Sequence, residues 1–452
     1  MAFQLVVRCE RFGVLSRRFR ELAPDETQFV ARGRYTMERR SFLKSLAVVS
    51  AASLAWPRLT SASLPKAKIT RVRIYLPPRL NQTFNQSDMI VTIETDAGLT
   101  GIGEGGVKDT LEQCASSLIG ENPFQIEKLW QKMYSDRFYP PGREKIHAQG
   151  ALDLALWDIK GKALGLPVHE ILGGTVRNYC ECYQTSGPSA ADKTTSLKDR
   201  AAKAMADGYR CYRVDASISP TVGTPIVNDV YNTHQRVHEV VAACKEIREG
   251  VGPNGDWALD LHQKFDYPDA VRCCKLIEDY EPYFVEDPVR DEQFHQDIPR
   301  LRQMTTVPLT AGEEWGQRWD FNTLVENHDL DYVRVTLPNV GGITEMVKIL
   351  ALCETHAIGI IPHFTGPLST ASLVNVLSTY SKPVLFEYNY GDRVIPHLPQ
   401  CMDFKNGKLY TNDRPGLGVT ADMAQLKMIS EVTTPNSSTR LYTRPDGSLT
   451  HW

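Results

Sequence analysis

The chain has 452 residues and a formal net charge of −3, with 42% hydrophobic and 23% charged residues. This balance is typical of an ordinary globular protein with two domains, or one barrel with an added domain, and it excludes a basic surface for nucleic acid. The ten cysteines are scattered and contain no C-x-x-C pair, so neither a zinc site nor a disulfide scaffold is expected.

A twin-arginine motif, Arg39-Arg40-Ser41-Phe42-Leu43-Lys44, precedes an apolar run from Leu46 to Ala55 and a group of small residues. This order is typical of an export signal, and the apolar run is too short to stay in a membrane as a helix. We therefore expect residues 1–65 to be a leader, Met37 to be the true start, and the protein to be periplasmic. If the signal interpretation is wrong, the protein is cytoplasmic.

Residues 66–175 are predicted to form an α+β capping domain. Alternating patterns predict strands at 69–75, 89–95 and 100–104, with a turn at Asp96-Ala97-Gly98. Helical periodicity predicts two helices, from Pro123 to Tyr134 and from Ile146 to Leu164. Because three strands cannot cover both of their own faces, we expect the helices to pack against them.

After Leu172-Gly173-Gly174 the chain alternates between strand-like and helical segments. The predicted strands are 179–183, 211–214, 258–261, 283–285, 309–311, 332–335, 359–362 and 384–386. No glycine-rich phosphate loop follows the first strand, so an open nucleotide-binding sheet is disfavoured. The predicted fold is α/β, a TIM-like (β/α)7β barrel over residues 176–395. The turn-rich segment 396–452 is expected to return to the cap and complete it.

Three carboxylates, Asp260, Glu286 and Glu313, each follow a short apolar run, and about one strand, loop and helix separates each from the next. Acids at the ends of successive parallel strands converge at one mouth of a barrel. Converging carboxylate oxygens are suited to Mg²⁺, which leaves coordination positions open for substrate. Because side chains alternate along a strand, only one of Glu313 and Glu314 is expected to face the metal.

Several phrases in the chain resemble the enolase superfamily, in its mandelate racemase and muconate lactonizing branch. They are Gly150 to Asp158, Glu286-Asp287-Pro288, Ala311-Gly312-Glu313 and Gly341-Gly342-Ile343-Thr344. The resemblance extends from about Lys68 to Gly418. It implies a capped barrel, one Mg²⁺ held by acids of the third, fourth and fifth barrel strands, and removal of the proton α to a carboxylate. By position the implied ligands are Asp260, Glu286 and Glu313.

Asp260-Leu261-His262 resembles the third strand of the sugar-acid dehydratases of this family, of the galactonate and mannonate type. That resemblance implies that His262 is the general acid for a departing hydroxyl, on the same strand face as Asp260. His363, within Pro362-His363-Phe364, resembles the histidine that abstracts the α-proton. In relatives an aspartate of the sixth strand orients this histidine, and Thr336 stands at that position.

The remaining predicted site residues are substrate contacts. Arg213-Val214-Asp215 replaces the Lys-x-Lys of many relatives, so Arg213 is predicted either to bind a substrate carboxylate with Asp215 beside it or to pair with Asp215 in the barrel. Glu387, ending the eighth strand, resembles an acid that hydrogen-bonds the substrate carboxylate and the enediolate. A cap loop before the long helix is expected to close over the mouth of the barrel. There Arg143, His147 and Tyr139 are expected to contact the substrate and determine specificity.

The sequence therefore predicts a Mg²⁺-dependent dehydratase that converts a sugar acid to a 2-keto-3-deoxy acid. Two alternatives remain open. One is a racemase, epimerase or cycloisomerase that uses the same enediolate, and the other is an exported sugar-acid-binding protein without catalysis. The expected partner is a small acid sugar, with no nucleic acid, no membrane span and a homo-oligomeric state.

Overall fold

The computed structural model describes residues 64–78, 87–136, 142–186, 195–215, 232–290, 295–364, 366–391, 393–435 and 442–450. The twin-arginine motif, Met37 and Tyr139 lie outside these ranges. Among the described residues, no helix combines the length and the apolar character required to cross a bilayer. Within the same ranges nine cysteines are buried and free of disulfides.

The capping domain is built on a four-stranded antiparallel sheet. Its strands are β1 (Ile69–Leu76), β2 (Ile90–Thr95), β3 (Thr100–Glu104) and β14 (Lys427–Val432), in the order β14-β1-β2-β3. Three helices accompany the sheet: α1 (Lys108–Ser116), α2 (Ile126–Ser135) and α3 (Arg143–Leu164). Their buried apolar residues form one core with those of β1 and β2. The predicted strands and helices of the cap are all present, with ends shifted by a few residues.

The long helix α3 begins three residues before the predicted Ile146 because Gly142 adopts an extended conformation and starts the helix at Arg143. The acidic Glu144 lies in its first turn, where it is favoured by the positive end of the helix dipole. Arg143 and His147 therefore lie on the first turns of a helix. The prediction that they belong to a loop was wrong.

The last cap strand comes from the end of the chain. β14 pairs antiparallel with β1, in a register that sets Val72 opposite Val432. Arg73 reinforces this pairing because its Nε donates to Glu431 at 2.8 Å across 358 residues of sequence. The C-terminal segment thus supplies the edge strand of the N-terminal sheet.

The second region alternates strands and helices. Its strands are β4 (Cys180–Ser186), β5 (Cys211–Asp215), β6 (Asp256–Asp260), β7 (Phe284–Glu286), β8 (Leu309–Ala311), β9 (Tyr332–Val333), β10 (Gly359–Ile360) and β11 (Leu385–Glu387). From β4 to β10 each strand pairs in parallel with the next, and β11 pairs in parallel with β4. Between β10 and β11 a single parallel bridge, Ile360 to Val384, links the two edges. The architecture is a TIM-type barrel with an N-terminal cap.

One short helix precedes β4, and the other helices of this region lie between successive barrel strands. In chain order the helices are α4 (Val168–Ile171), α5 (Leu197–Ala206), α6 (Thr233–Val251), α7 (Tyr267–Ile277), α8 (Asp297–Arg302), α9 (Arg318–Glu326), α10 (Ile343–Thr355) and α11 (Pro367–Leu377). Short 3-10 turns occur at Glu278–Tyr280 and Met423–Gln425. A hairpin of β12 (Asp403–Lys405) and β13 (Lys408–Tyr410) pairs antiparallel with the first residues of β4.

β9 and β10 are two residues shorter at their ends than the sequence predicts. Beyond them the backbone continues on isolated hydrogen bonds, with the Arg334 N–H donating to Ala311 at 3.0 Å and the His363 N–H donating to Val335 at 2.7 Å. The regular ladder stops there because the chain begins to turn toward the mouth of the barrel. Residues that follow these strands are therefore still held in strand-like positions.

The cap packs against the loop after β9. Trp130 donates its indole N–H to the Gly341 carbonyl at 2.8 Å, and Asp153 accepts the Thr344 N–H at 2.9 Å. Gly150 lies so close to Pro338 that a side chain there would overlap the Pro338 carbonyl. The cap and the barrel therefore approach each other closely at the glycines of two phrases named above, Gly150 to Asp158 and Gly341 to Thr344. Only a residue without a side chain fits at such a contact.

Candidate active site

The three predicted metal-binding carboxylates meet at the C-terminal end of the barrel strands. Asp260 ends β6, Glu286 ends β7, and Glu313 follows β8 by two residues. Asp260 and Glu286 lie opposite each other in the parallel register. All three side chains are buried. Since buried carboxylates require counter-charges, the residues around them determine what this cluster does.

Arg213 on β5 supplies the first counter-charge. Its Nη1 lies 2.6 and 2.7 Å from the two oxygens of Glu286 and 3.2 Å from Asp260 Oδ2. Its Nη2 donates to Glu387 at 3.0 Å, and its Nε donates to Thr185 Oγ1 at 2.5 Å. The guanidinium therefore pairs with the carboxylate cluster. Arg213 thus pairs within the barrel with Asp260, Glu286 and Glu387 rather than with the predicted Asp215, and its binding of a substrate carboxylate stays a prediction.

Arg334 supplies the second counter-charge and was not found in the sequence analysis. Its Nε lies 2.5 Å from Glu286 and 2.9 Å from Glu313, and its Nη2 donates to Glu387 at 2.6 Å. Its Nη1 donates to the Tyr183 hydroxyl at 2.8 Å. The side chain is fully buried. An arginine within the apolar run around β9 was the signal that could have identified it.

Burial and these guanidinium groups act in opposite directions on the acids. Burial raises the pKa of Asp260 to about 6 and raises that of Glu286 well above its usual range, although Arg213 opposes both shifts. Burial also opposes ionisation of Glu313, but His363, which is protonated at the acidic pH where Glu313 titrates, and Arg334 outweigh it and lower the pKa of Glu313. The cluster thus contains acids of very different strength within a few ångströms.

His262 is held between two aspartates. Its Nδ1 lies 2.5 Å from Asp215 Oδ2, and its Nε2 lies 3.2 Å from Asp260 Oδ2. The hydrogen bond to Asp215 raises the pKa of His262 to about 9. The strand ends at Asp260, and His262 has a positive φ of 47°, so a turn brings the two side chains together. The predicted proximity is present, but strand alternation was the wrong reason for it.

The donor chemistry of this cluster fits a hard divalent cation. Asp260 Oδ2 is buried and accepts no hydrogen bond within the described structure, although Arg213 and His262 lie nearby. Among the described residues, Asp215, Asp260 and His262 form a possible metal-binding set, because each offers a ligand atom within 4.8 Å of the others. The predicted set of Asp260, Glu286 and Glu313 is instead bridged by guanidinium groups. Asp260 is common to both sets.

His363, which follows β10, is oriented by a hydroxyl. Thr336 Oγ1 lies 3.0 Å from His363 Nδ1 and donates its hydrogen to the Glu313 carbonyl at 2.9 Å. Because a hydroxyl has one hydrogen, Thr336 accepts from an Nδ1–H of His363, which leaves the lone pair on Nε2. Burial lowers the pKa of His363, so the ring is neutral near pH 7. His363 Nε2 lies 3.6 Å from Glu313, at the carboxylate cluster.

Glu387 is an anchor for both arginines. Besides Arg213 and Arg334, it accepts the backbone N–H of Phe364 at 3.2 Å. Burial raises its pKa, but the two arginines outweigh that effect and lower the pKa of Glu387 to about 2. An ionised carboxylate has no hydrogen to donate, so this geometry does not suit the predicted hydrogen bond from Glu387 to an enediolate.

The cap brings Arg143 to the same end of the barrel. Arg143 approaches the loop after β8, since its Cγ would lie 3.7 Å from a Cβ placed on Gly316. His147 is buried within the first turns of α3. Tyr139 lies outside the described residues, so its predicted role stays a prediction.

Two family models match the chain. The model for the mandelate racemase / muconate lactonizing enzyme N-terminal domain matches residues 69–173, and that for the enolase C-terminal domain-like family matches residues 196–425. The first covers the cap, and the second covers most of the barrel. Together they account for the two regions described above.

Relatives of known activity and a solved structure extend the likeness. The chain is 32% identical to the D-galactonate dehydratase of Pectobacterium atrosepticum over 402 residues, which is 85% of this chain and 100% of that protein. It is also 32% identical to that of Ralstonia pickettii over 403 residues, with the same coverage. A crystal structure of an enolase from Pantoea ananatis with bound D-gluconate and Mg is 25% identical with a TM-score of 0.70, and the match covers 79% of this chain and 94% of that one.

Proposed function

Because the chain belongs to the mandelate racemase and muconate lactonizing branch of the enolase superfamily, we propose that it is a Mg²⁺-dependent hydro-lyase of sugar acids. The reaction removes the proton at C2 and the hydroxyl at C3 of an aldonate. The similar D-galactonate dehydratases and the gluconate-bound neighbour support a hexonate as substrate class.

The observation that carries this proposal is the position of two histidines at one carboxylate cluster, with Asp215 at Nδ1 of His262 and Thr336 at Nδ1 of His363. His262 is charged near pH 7 because Asp215 raises its pKa to about 9, and His363 is neutral because burial lowers its pKa. Dehydration requires one group that accepts a proton and one that gives a proton, and a charged and a neutral imidazole provide both at the same pH. Both rings border the same carboxylate cluster.

Each histidine then has one task. His363 accepts the C2 proton at Nε2, while Thr336 keeps the Nδ1–H in place. His262 donates a proton to the C3 hydroxyl, so the C3–O bond breaks and water leaves. The electrons of the C2–H bond become the C2–C3 double bond. The enol product gains a proton at C3 and loses the proton of its C2 hydroxyl, which gives a 2-keto-3-deoxy acid with one water lost overall.

Asp260, Glu286 and Glu313 are the residues that would hold Mg²⁺, since they provide carboxylate oxygens from three adjacent strands. When bound, the ion stabilises negative charge that develops on the substrate carboxylate. Arg213 and Arg334 add positive charge to the same mouth, and both guanidinium groups pair with Glu387.

A panel of hexonates and pentonates, assayed with Mg²⁺ for a semicarbazide-reactive 2-keto product, tests the proposal. We expect product from at least one acid sugar, and a loss of about 10²–10⁴-fold in kcat for His363→Asn and for His262→Asn. His356→Asn is the matched control, because His356 lies at the end of α10.

The outcomes separate the candidate functions. Solvent deuterium in recovered substrate without keto product would favour a racemase or epimerase. Tight binding of an acid sugar without either signal would favour a sugar-acid-binding protein. Full activity of His262→Asn would rule out the assigned acid.

A further inference from the structure

The carboxylate cluster and its arginines have unequal charge. Among the described residues, two guanidinium groups contact this set of four acids: Asp260, Glu286, Glu313 and Glu387. The neighbouring Asp215 and His262 form a separate ion pair that adds no net charge when both are ionised. When all four acids are ionised, the two guanidinium groups balance two of their negative charges. The two charges that remain would be balanced by one divalent cation. The arginines therefore neutralise half of the cluster.

Arg213 contacts the oxygens that the proposed function assigns to the metal. Its Nη1 lies within 2.7 Å of both Glu286 oxygens and 3.2 Å from Asp260 Oδ2. A cation bound by those oxygens has to share them with Nη1 or displace it, because like charges repel at such short range. We infer that Arg213 is a built-in competitor of the divalent cation for Asp260 and Glu286, and that this residue sets the metal affinity. The inference rests on the proposed assignment of these two ligands.

Arg213 is suited to give up one contact without leaving the site. Its Nη2 is anchored on Glu387 at 3.0 Å, and its Nε is anchored on Thr185 at 2.5 Å. These two anchors lie on β11 and β4, which do not carry the proposed metal ligands. A rotation of the guanidinium can therefore release Asp260 and Glu286 while the other bonds persist.

Arg334 does not share this property. Its Nε contacts Glu286 and Glu313, and its two Nη groups are engaged by Tyr183 and Glu387. Its contacts with the proposed ligands are made by Nε, so a rotation that released them would also move both Nη groups away from Tyr183 and Glu387. The guanidinium group of Arg334 therefore stays in one position, whereas that of Arg213 can move away from the proposed metal ligands.

The test is a Mn²⁺ titration followed by electron paramagnetic resonance on the purified full chain, without substrate. Arg213→Met removes the charge, and we expect it to bind Mn²⁺ about tenfold more tightly than the wild type or better. Arg210→Met is the matched control, since Arg210 directly precedes β5 and pairs with Glu181 and Asp256 at the opposite end of the barrel strands. Its Mn²⁺ affinity should equal that of the wild type.

Arg213→Lys covers the case in which the methionine variant does not fold. Lysine keeps the charge but lacks the fork that reaches Glu286, Asp260 and Glu387 together, so we expect a smaller gain in affinity in the same direction. Melting temperature gives a second measure, because tighter Mn²⁺ binding raises it more at equal metal concentration.

The outcomes distinguish this inference from the proposed function. Tighter binding by the Arg213 variants supports the inference whether or not any acid sugar is turned over. Equal, weaker or no Mn²⁺ binding by the Arg213 variants overturns it, even where the wild-type enzyme forms keto product with Mg²⁺. Product formation in the sugar panel decides the reaction separately.

Discussion

Thr336 Oγ1 lies 3.0 Å from His363 Nδ1 and at the same time donates to the Glu313 carbonyl. A neutral hydroxyl therefore holds the ring in the tautomer that has its hydrogen on Nδ1. The hydrogen on Nδ1 leaves Nε2 as the acceptor, so the histidine keeps its geometry without a carboxylate partner.

We expect Thr336→Val to lower kcat on the order of tenfold with little change in KM, because the isosteric side chain no longer accepts the Nδ1–H. Steady-state kinetics in the 2-keto product assay measure both constants. Thr355→Val is the matched control, since Thr355 Oγ1 lies 3.0 Å from His356 Nδ1 in a pair on the surface. A drop of equal size in the control would show that the loss is not specific to the site.

The pH profile provides a second test of the same contact. His363 acts as a base only when it is deprotonated, and burial lowers its pKa, so activity should rise with pH through a point below 6.5. Thr336→Asp places a negative charge beside the ring and favours the imidazolium form. The acid limb of kcat/KM should then move to higher pH. If the acid limb of the kcat/KM profile did not change, His363 would not be the base.

Asp215→Asn should shift the alkaline limb of the profile. His262 acts as an acid only when protonated, and the hydrogen bond to Asp215 raises its pKa to about 9. Wild-type activity should therefore fall as pH rises through about 9, and the Asn variant should lose activity closer to the unperturbed pKa of about 6.5. Asp207→Asn, which changes an exposed partner of Lys203, should leave the profile unchanged.

Arg334→Met should destabilise the protein strongly. Removing this buried cation leaves Glu286, Glu313 and Glu387 without one partner each, and breaking a buried ion pair costs about 3–5 kcal/mol in the free energy of unfolding. Urea denaturation measures the change. The control is Arg300→Met, whose exposed pair with Asp297 contributes at most about 1 kcal/mol. Equal losses for both variants would contradict the buried network.

Glu104 predicts a pH dependence of stability. This carboxyl is fully buried and accepts the Ser369 N–H at 2.7 Å at the start of α11, and burial raises its pKa to about 8. The folded state then binds the proton more tightly than the unfolded state, so stability falls as pH rises between about 4.5 and 8. A shift of this size has an upper limit of about 5 kcal/mol.

Glu104→Gln keeps a neutral group of similar size and removes the titration. We expect its stability relative to the wild type to increase from pH 5 to pH 8, measured by urea denaturation at both values. Glu249→Gln, at an exposed pair with Lys198, should show no such trend. A difference between Glu104→Gln and the wild type that does not vary with pH would argue against a protonated Glu104.

We propose that the twin-arginine motif directs export of the protein. We expect the double variant Arg39→Lys, Arg40→Lys to stay in the cytosolic fraction, because the export receptor recognises the two arginines. Fractionation of cells that express the wild type and the variant measures this. Wild-type protein found only in the cytosol at full length would refute export.

The parts of the site that the sequence predicted depend on local patterns. Asp260, Glu286 and Glu313 each follow a short buried run, so the strand and its terminal acid can be read together. Arg334 was missed because its three acidic partners lie far from it in the sequence. A local sequence pattern therefore gives no indication of these ion pairs. The turn at His262 was missed for a different reason, since a non-glycine residue only uncommonly adopts a positive φ and the residues here give no turn signal.

The pairing of β1 with β14 has a consequence for biosynthesis. Arg73 meets Glu431 across 358 residues, so the N-terminal sheet has no edge partner while the ribosome is still translating the barrel. The cap can mature only after nearly the whole polypeptide has emerged. A premature stop codon anywhere before β14 should therefore yield a chain with an exposed, aggregation-prone strand edge rather than a shortened enzyme.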